Sequence, residues 1–416
     1  MLFSSSHSFS SDYQSDGEKN HANPEDNLSL KIEKLKIGNL EIVKYISEFW
    51  TSKQRQGNSI HEISYRACFK PQLPHFFITY LSRENDVVYD PFLGRGTTLI
   101  EAALLKRQVI GNDINPLSKI LTEPRLIIPE LGELKEYLYQ IPVQKKLKAD
   151  IDLSMFYHPE TESELVSLKN YILAKEQANK LNHLDKWIRM VATNRLTGHS
   201  KGFFSVYTMP PNQAVSPERQ IKINQKRNQQ PEYKNVKELI LKKSKSLIKS
   251  ITEKDQKNLK KAHETALFLN KDARKTPEIA DNSVQLTVTS PPFLDVVQYA
   301  RDNWLRAWFN GINTAEVEKK MTLSKTLEQW TDVMQNVLNE LYRITKPGGY
   351  VAFEVGEVKN GRIKLDESIV PLGIKSGFKV EGILINEQEF TKTSNIWGVR
   401  NNKKGTNSNR IVLFKK

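Results

Sequence analysis

Two rhythms of apolar and polar positions alternate along the chain. Short β-branched runs read as strands, and the clearest is Val284-Gln285-Leu286-Thr287-Val288. It has to stop at Ser290, because Pro291 and Pro292 carry no N–H for a ladder. Similar runs predict strands over residues 86–89, 108–111, 266–269, 350–355, 377–385 and 410–414. Apolar positions at helical spacing predict helices over 28–50, 75–81, 99–106, 163–178, 184–193, 295–309 and 326–344. Strands separated by helices imply an α/β domain. The alternation lapses over 124–263, where helical segments and basic, polar stretches replace it. Residues 1–27 are rich in Ser, Asn, Asp and Glu, and are expected to be a disordered tail. The expected division is therefore tail 1–27, first α/β half 28–123, basic insert 124–263 and second α/β half 264–416.

Composition adds a partner class. With 62 Lys and Arg against 48 Asp and Glu, the 416 residues carry a net charge of +14, which favours a polyanion. Nucleic acid comes before membrane, because no long apolar span or amphipathic anchor stands out. Cys68 is the single cysteine, so a disulfide framework or cysteine zinc site within one chain is excluded. The eight histidines lack ligand spacing, and no metal is expected. Nothing near Met1 has the layout of a signal peptide, and a reducing, cytoplasmic compartment is expected.

The chemistry gathers at strand ends. The strand 86–89 runs into Asp90-Pro91-Phe92-Leu93-Gly94-Arg95-Gly96-Thr97-Thr98 and a helix. The next strand ends at Asn112-Asp113-Ile114. Gly94 and Gly96 permit a sharp turn and close approach to a ligand, and Asp113, 17 positions after Gly96, can grip ribose hydroxyls. Asp90 makes the site unwelcoming to phosphate and suited to a cationic, ribose-bearing ligand such as S-adenosylmethionine. An NAD-type site is the competing reading, weakened by the missing third glycine. Asp272, beyond a third strand, can bond an adenine amino group. The corner Thr289-Ser290-Pro291-Pro292-Phe293 offers hydroxyl and carbonyl acceptors for an amine and an aromatic ring for stacking, although a Pro-Pro turn can also simply end a strand. The lysine run from Lys222 to Lys261 fits either a solvated face or a DNA-facing surface. Phe203, Phe204, Tyr207, Asn212 and Gln213 fit base contact or core packing. The basic stretch with Trp397, Arg400, Lys403 and Lys404 is either a DNA-facing loop or a plain surface loop.

These motifs together resemble the amino-methyltransferases of DNA, which methylate the exocyclic nitrogen of cytosine or adenine. Asp90 to Thr98, followed by Glu101-Ala102 and by Gly111-Asn112-Asp113-Ile114-Asn115-Pro116, is similar to their cofactor motif. Asn270-Lys271-Asp272-Ala273 is similar to the segment at the cofactor adenine, Thr289 to Phe293 to the catalytic motif, and Lys346-Pro347-Gly348-Gly349 to the turn before the fifth strand. The resemblance covers most of residues 60–123 and 264–416. It implies a Rossmann-like seven-stranded methyltransferase sheet with a final antiparallel strand at 410–414, and a helical basic insert for target recognition. It implies S-adenosylmethionine as cofactor, held by Phe69, Lys70, Asp90, Phe92, Gly94, Gly96, Thr97, Thr98, Asp113, Ile114, Asp272 and Ala273. It implies catalysis by Ser290, Pro291, Pro292 and Phe293 on a flipped-out base of double-stranded DNA, and a separately encoded restriction endonuclease as partner. In the family, Ser before Pro-Pro usually accompanies N4-cytosine activity and Asp or Asn there N6-adenine activity, so Ser290 favours cytosine. Adenine, an RNA base and a silent DNA-binding subunit are the alternatives. Carbon-5 methylation is disfavoured, since it needs a Pro-Cys nucleophile and no cysteine lies near Pro292.

Overall fold

The computed structural model describes residues 30–50, 57–66, 68–210, 214–292, 299–321, 324, 326–358, 363–387 and 408–416. Strands β1 (Lys31–Ile37) and β2 (Leu40–Ser47) open the described chain, followed by α1 (Gln72–Leu81), β3 (Val87–Asp90), α2 (Thr97–Leu104), β4 (Gln108–Asn112) and α3 (Leu117–Thr122). Six helices come next: α4 (Leu131–Gln140), α5 (Pro159–Gln177), α6 (His183–Arg195), α7 (Pro217–Arg227), α8 (Val236–Ile248) and α9 (Glu253–Thr265). The α/β alternation resumes with β5 (Leu267–Leu269), β6 (Val284–Thr289), α10 (Tyr299–Asp302), α11 (Trp304–Phe309), α12 (Thr314–Lys320), α13 (Leu327–Ile344) and β7 (Thr345–Val355). A small hairpin, β8 (Glu357–Val358) and β9 (Ile363–Lys364), precedes α14 (Leu365–Lys375), β10 (Lys379–Glu387) and β11 (Ser408–Lys415).

The main sheet has nine strands in the order β1-β2-β10-β11-β7-β6-β3-β4-β5. Strand β3 lies parallel between β4 and β6, and β11 is antiparallel to both β7 and β10. The seven strands from β10 to β5 form the Rossmann-like methyltransferase sheet, antiparallel strand included. The other two correct the sequence reading. Within the helix expected over 28–50, residues 31–47 form a hairpin instead. Ile42, Lys44 and Ile46 are buried in strict alternation, a period of two. Gly38 takes φ 58° in the two-residue turn, where a side chain is disfavoured. Strand β2 then pairs in parallel with β10, Lys44 opposite Ile383. The strand expected at 350–355 starts earlier, at Thr345, with an irregularity in its register against β6.

Apolar residues cover both faces of the sheet. Ile411 and Leu413 join one core cluster with α1, α2 and α9, while Val412 and Phe414 join the other with α13 and α14. Helix α9 packs on α2 and β4. It is therefore the covering helix before β5, although the sequence assigned it to the insert. Because β3, β4, β6 and β7 run parallel, their carboxyl ends meet along one edge, where open α/β sheets bind ligands.

Candidate active site at the carboxyl edge of the sheet

The glycine turn after β3 is held from several sides. Gly96 takes φ 76°, and a Cβ there would stand 2.2 Å from the Thr122 hydroxyl, so both backbone and packing require glycine. Gly94 takes φ 51° but has room: the nearest atom to an added Cβ is on the Tyr65 ring, at 3.8 Å. Arg95 reaches back over the turn. Its guanidinium donates to the carbonyls of Ile63 (2.9 Å) and Phe69 (3.1 Å), and its Nε to the Thr97 hydroxyl (3.0 Å). Buried Arg125 donates to the Arg95 carbonyl and to Leu121 O (2.9 Å). The segment holding Phe69 and Lys70 is thereby fixed beside the turn. Lys70 is exposed there, and Phe69 is half-buried.

Asp90 links the two halves of the domain. Its carboxyl, 2% exposed, accepts from the Thr289 hydroxyl (2.6 Å) at the end of β6 and from the Phe92 amide (3.1 Å). The Thr98 hydroxyl also lies within bonding reach and donates its own proton to the Val288 carbonyl (3.0 Å). Burial dominates, and it pushes the Asp90 carboxyl up to about 7. Asp90 is thus a buried brace between β3 and β6, unlike the ligand-facing charge expected from the sequence.

Ser290 continues from Thr289 at the edge. It hydrogen-bonds the carboxylate of Glu354 on β7, which also accepts from Asn409 Nδ2 (2.8 Å). Burial raises the Glu354 carboxyl above its ordinary range, against these two bonds. The Pro292 carbonyl accepts from the Trp330 indole (2.9 Å), which fixes the corner; Pro291 is buried. Phe293 lies outside the described residues.

The remaining predicted residues separate. Asp113 is close to the glycine turn: one carboxylate oxygen accepts from the Gly94 amide (2.9 Å) and the Ser118 hydroxyl (2.8 Å), the other from the Asn115 amide (2.9 Å). Burial raises its pKa against these bonds. Ile114 lines a cleft of about 330 Å³ with Asn270, Glu176 and Arg189, and an adjoining cleft of about 430 Å³ runs past Asn115 and Pro116. Their described walls include neither Gly94 nor Ser290. Asp272 pairs with Arg274 (2.5 Å) in its own turn, and Ala273 is buried in core.

Several site-building residues carry no motif. Arg125, Tyr65, Trp330 and Glu354 act through contacts across the sequence. So does Glu101, bonded to His61 (2.8 Å) and His75 (2.7 Å). Burial opposes its charge, but the two imidazoles prevail and hold it down at about 2. Glu101 itself stands in the Glu101-Ala102 pair of the cofactor motif, whereas its partners His61 and His75 carried no signal in the sequence.

The lysine run divides. Lys234 donates to the carbonyls of Phe203 and Ser205 (3.0 and 2.8 Å), Lys237 to that of Ile141 (2.6 Å), and buried Lys243 pairs with Glu62 (3.3 Å). These are structural uses. Lys222, Lys226, Lys242 and Lys245 are exposed. Phe203 and Phe204 are buried, as core readings require, and Tyr207 is half-buried. Asn212, Gln213, Trp397, Arg400, Lys403 and Lys404 lie outside the described residues, as does the tail 1–27. Among the described residues no cluster of metal-ligating side chains occurs, and no helix is long and apolar enough to cross a membrane.

Comparison with known proteins points the same way. The DNA methylase family model matches residues 3–121. The type II methyltransferase M.BsoBI of Geobacillus stearothermophilus is 27% identical over 334 residues, 74% of this chain and 64% of that protein. M.MjaII of Methanocaldococcus jannaschii is 32% identical over 88 residues, 21% of this chain and 17% of its own. The chain thus spans less than two thirds of the length of either relative. Among solved structures, the rRNA methyltransferase aviRa of Streptomyces viridochromogenes aligns over 86% of this chain and 90% of its own, at 12% identity and a TM-score of 0.33, too low to bear on function. This chain is thus similar to the DNA methylase family over residues 3–121 and to the type II methyltransferase M.BsoBI over 334 residues, and its sheet bears the glycine turn and the Ser-Pro-Pro corner on one edge.

Proposed function

We propose that this protein is an S-adenosylmethionine-dependent DNA methyltransferase acting on the exocyclic N4 of a flipped-out cytosine in duplex DNA. The observation that carries the reading is the junction of the two motifs. The Asp90–Thr289 hydrogen bond fastens the glycine turn to the strand end that bears Ser290.

The cofactor fits the residues present. At Gly94 an added Cβ would meet the Tyr65 ring and the Phe92 carbonyl only at van der Waals distance, so the backbone there can approach a ligand closely, and Asp113 supplies a carboxylate at the neighbouring strand end. Gly94, Gly96, Asp113 and Ile114 would hold the nucleoside, with Phe69 and Lys70 beside it. When bound, S-adenosylmethionine supplies an electrophilic methyl group. Ser290 and the carbonyl of Pro291 accept hydrogen bonds from the target amino group and draw its lone pair out of conjugation. Ser290 is suited to accept because its own proton is directed at Glu354. Phe293 stacks on the flipped base, whose extrusion costs roughly a few kcal/mol. Alignment supplies much of the acceleration. Protection of DNA alongside a separately encoded endonuclease follows from the likeness to type II enzymes.

The test is single-molecule sequencing of DNA from cells expressing the protein, against an empty vector. N4-methylcytosine in one recurring short sequence is expected. N6-methyladenine would keep the enzyme and overturn the reading of Ser290. Absence of any mark from soluble protein would overturn DNA methylation.

A further inference from the structure

We infer that residues 196–210, the described stretch of the loop after α6, together with helix α7, are the unit of the insert that reads the DNA target: the exposed tip His199-Ser200-Lys201 addresses base edges and the basic face of α7 holds phosphates. This rests on the proposed function and deepens it.

The loop is rigid at its base and open at its tip. Gly198 bridges Tyr207, Phe204 N donates to the Arg195 carbonyl (2.9 Å), and Thr208 N to the Gly198 carbonyl (3.1 Å). Lys234 clamps the carbonyls of Phe203 and Ser205 from below. The guanidinium of Arg195 stacks on the Phe203 ring at 3.9 Å from its centroid. Phe203, Phe204, Ser205 and Val206 are buried, whereas residues 199–201 are exposed. A polar tip on a packed base can read base edges without a large ordering cost on binding.

One of the loop's roots borders the glycine turn, and the other is held by α10 and α11. At one end Asn194 donates to the Ser64 carbonyl (3.4 Å), which Arg306 also reaches (3.0 Å); Tyr65, next in the chain, overlies Gly94. At the other end Ala214 N donates to the Asp302 carbonyl (3.2 Å) and Trp304 Nε1 to the Val215 carbonyl (3.1 Å). Asp302 ends α10, the first described helix after Pro292. The glycine turn is tied to the strand end bearing Ser290 by the Asp90–Thr289 bond, so a duplex presenting a base there would pass near this loop.

Helix α7 supplies the charge. Arg219, Lys222, Lys226 and Arg227 are exposed, against one acid, Glu218, in its first turn. Arg227 is seated on the Tyr207 ring, 3.8 Å from its centroid, which joins helix and loop into one surface. Cations on a helix positioned by a loop that touches bases form the usual division between phosphate and base contacts. The lysines of α9 sit on the covering helix behind the sheet and do not take part.

The experiment compares the DNA marks left by wild type, His199→Ala, Lys201→Ala and the double variant Lys222→Gln/Lys226→Gln. Wild type is expected to mark one motif. The tip variants should relax one position of it, with discrimination there falling roughly 5- to 100-fold. The α7 variant should keep the motif, while its binding to duplex oligonucleotides weakens and the salt slope becomes shallower by about 2. For a tip variant that marks nothing, competition between duplexes with and without the wild-type motif decides: lost preference supports the loop, retained preference overturns it. Tip variants that mark the wild-type motif to the wild-type extent overturn the loop while leaving the methyltransferase reading intact. Wild type that marks no DNA overturns that reading and the loop's role with it.

Discussion

Asp90→Asn should make the protein more stable at neutral and alkaline pH, although it removes a carboxylate from the centre of the site. The native carboxyl holds its proton up to about 7, against an ordinary value of 3.8, because it is buried. The gap corresponds to about 4 kcal/mol against the ionised form, at ~1.4 kcal/mol per pH unit. Between the two values the folded state binds more protons than the unfolded state. This group's contribution therefore falls as pH rises from about 4 to about 7 and is level above that. Asparagine keeps the shape and has no proton to lose. Its carbonyl can accept from Thr289 and Phe92, and its amide can donate to Thr98, whose own hydrogen is committed to Val288. Chemical denaturation of both proteins from pH 5 to pH 8 should show the variant gaining about 2–3 kcal/mol on wild type over that range, since every other group titrates alike in the two. Parallel stability curves, or a constant loss at every pH, would refute the reasoning and return Asp90 to the role of an ionised group facing the ligand.

Three further outcomes are expected. Ser290→Ala should lower methyl transfer by about 100-fold, judged by the cost of removing one preorganised hydrogen-bonding group, with cofactor affinity by calorimetry unchanged; unaltered turnover removes Ser290 from the mechanism. Gly96→Ala should destabilise by about 3 kcal/mol or more, combining a left-handed φ with a forced shift of Thr122, and a melting curve like that of wild type would contradict the turn geometry. Glu354→Gln should lower kcat and remove the limb of its pH profile that rises as the raised Glu354 carboxyl ionises; an unchanged profile would disconnect Glu354 from Ser290.

Local chemistry made the glycine turn and the strand-end corner legible. Gly94 and Gly96 mark a turn with positive φ, and Pro291 and Pro292 mark a strand's end, because backbone constraints act within a few residues. Parallel strands follow from helices between them, so a shared carboxyl edge was implied before any contact was known. The hairpin at 31–47 was misread for the opposite reason. Ile42, Val43 and Ile46 satisfy a helical spacing as well as an alternating one, and pairing with β1 and β10 selects the strand.

The sequence by itself determined the kind of sheet, the glycine turn and the corner at Ser290, since each rests on the conformational limits of neighbouring residues. Tertiary structure decided what the charges do. Asp90 became a brace between two strands once Thr289, 199 positions away, bonded to it, and burial raised its carboxyl. Lys234 and Lys243 became internal clamps while Lys222 and Lys226 stayed in water. A charge takes its role from its burial and its partners, and those come from chain segments far apart in sequence.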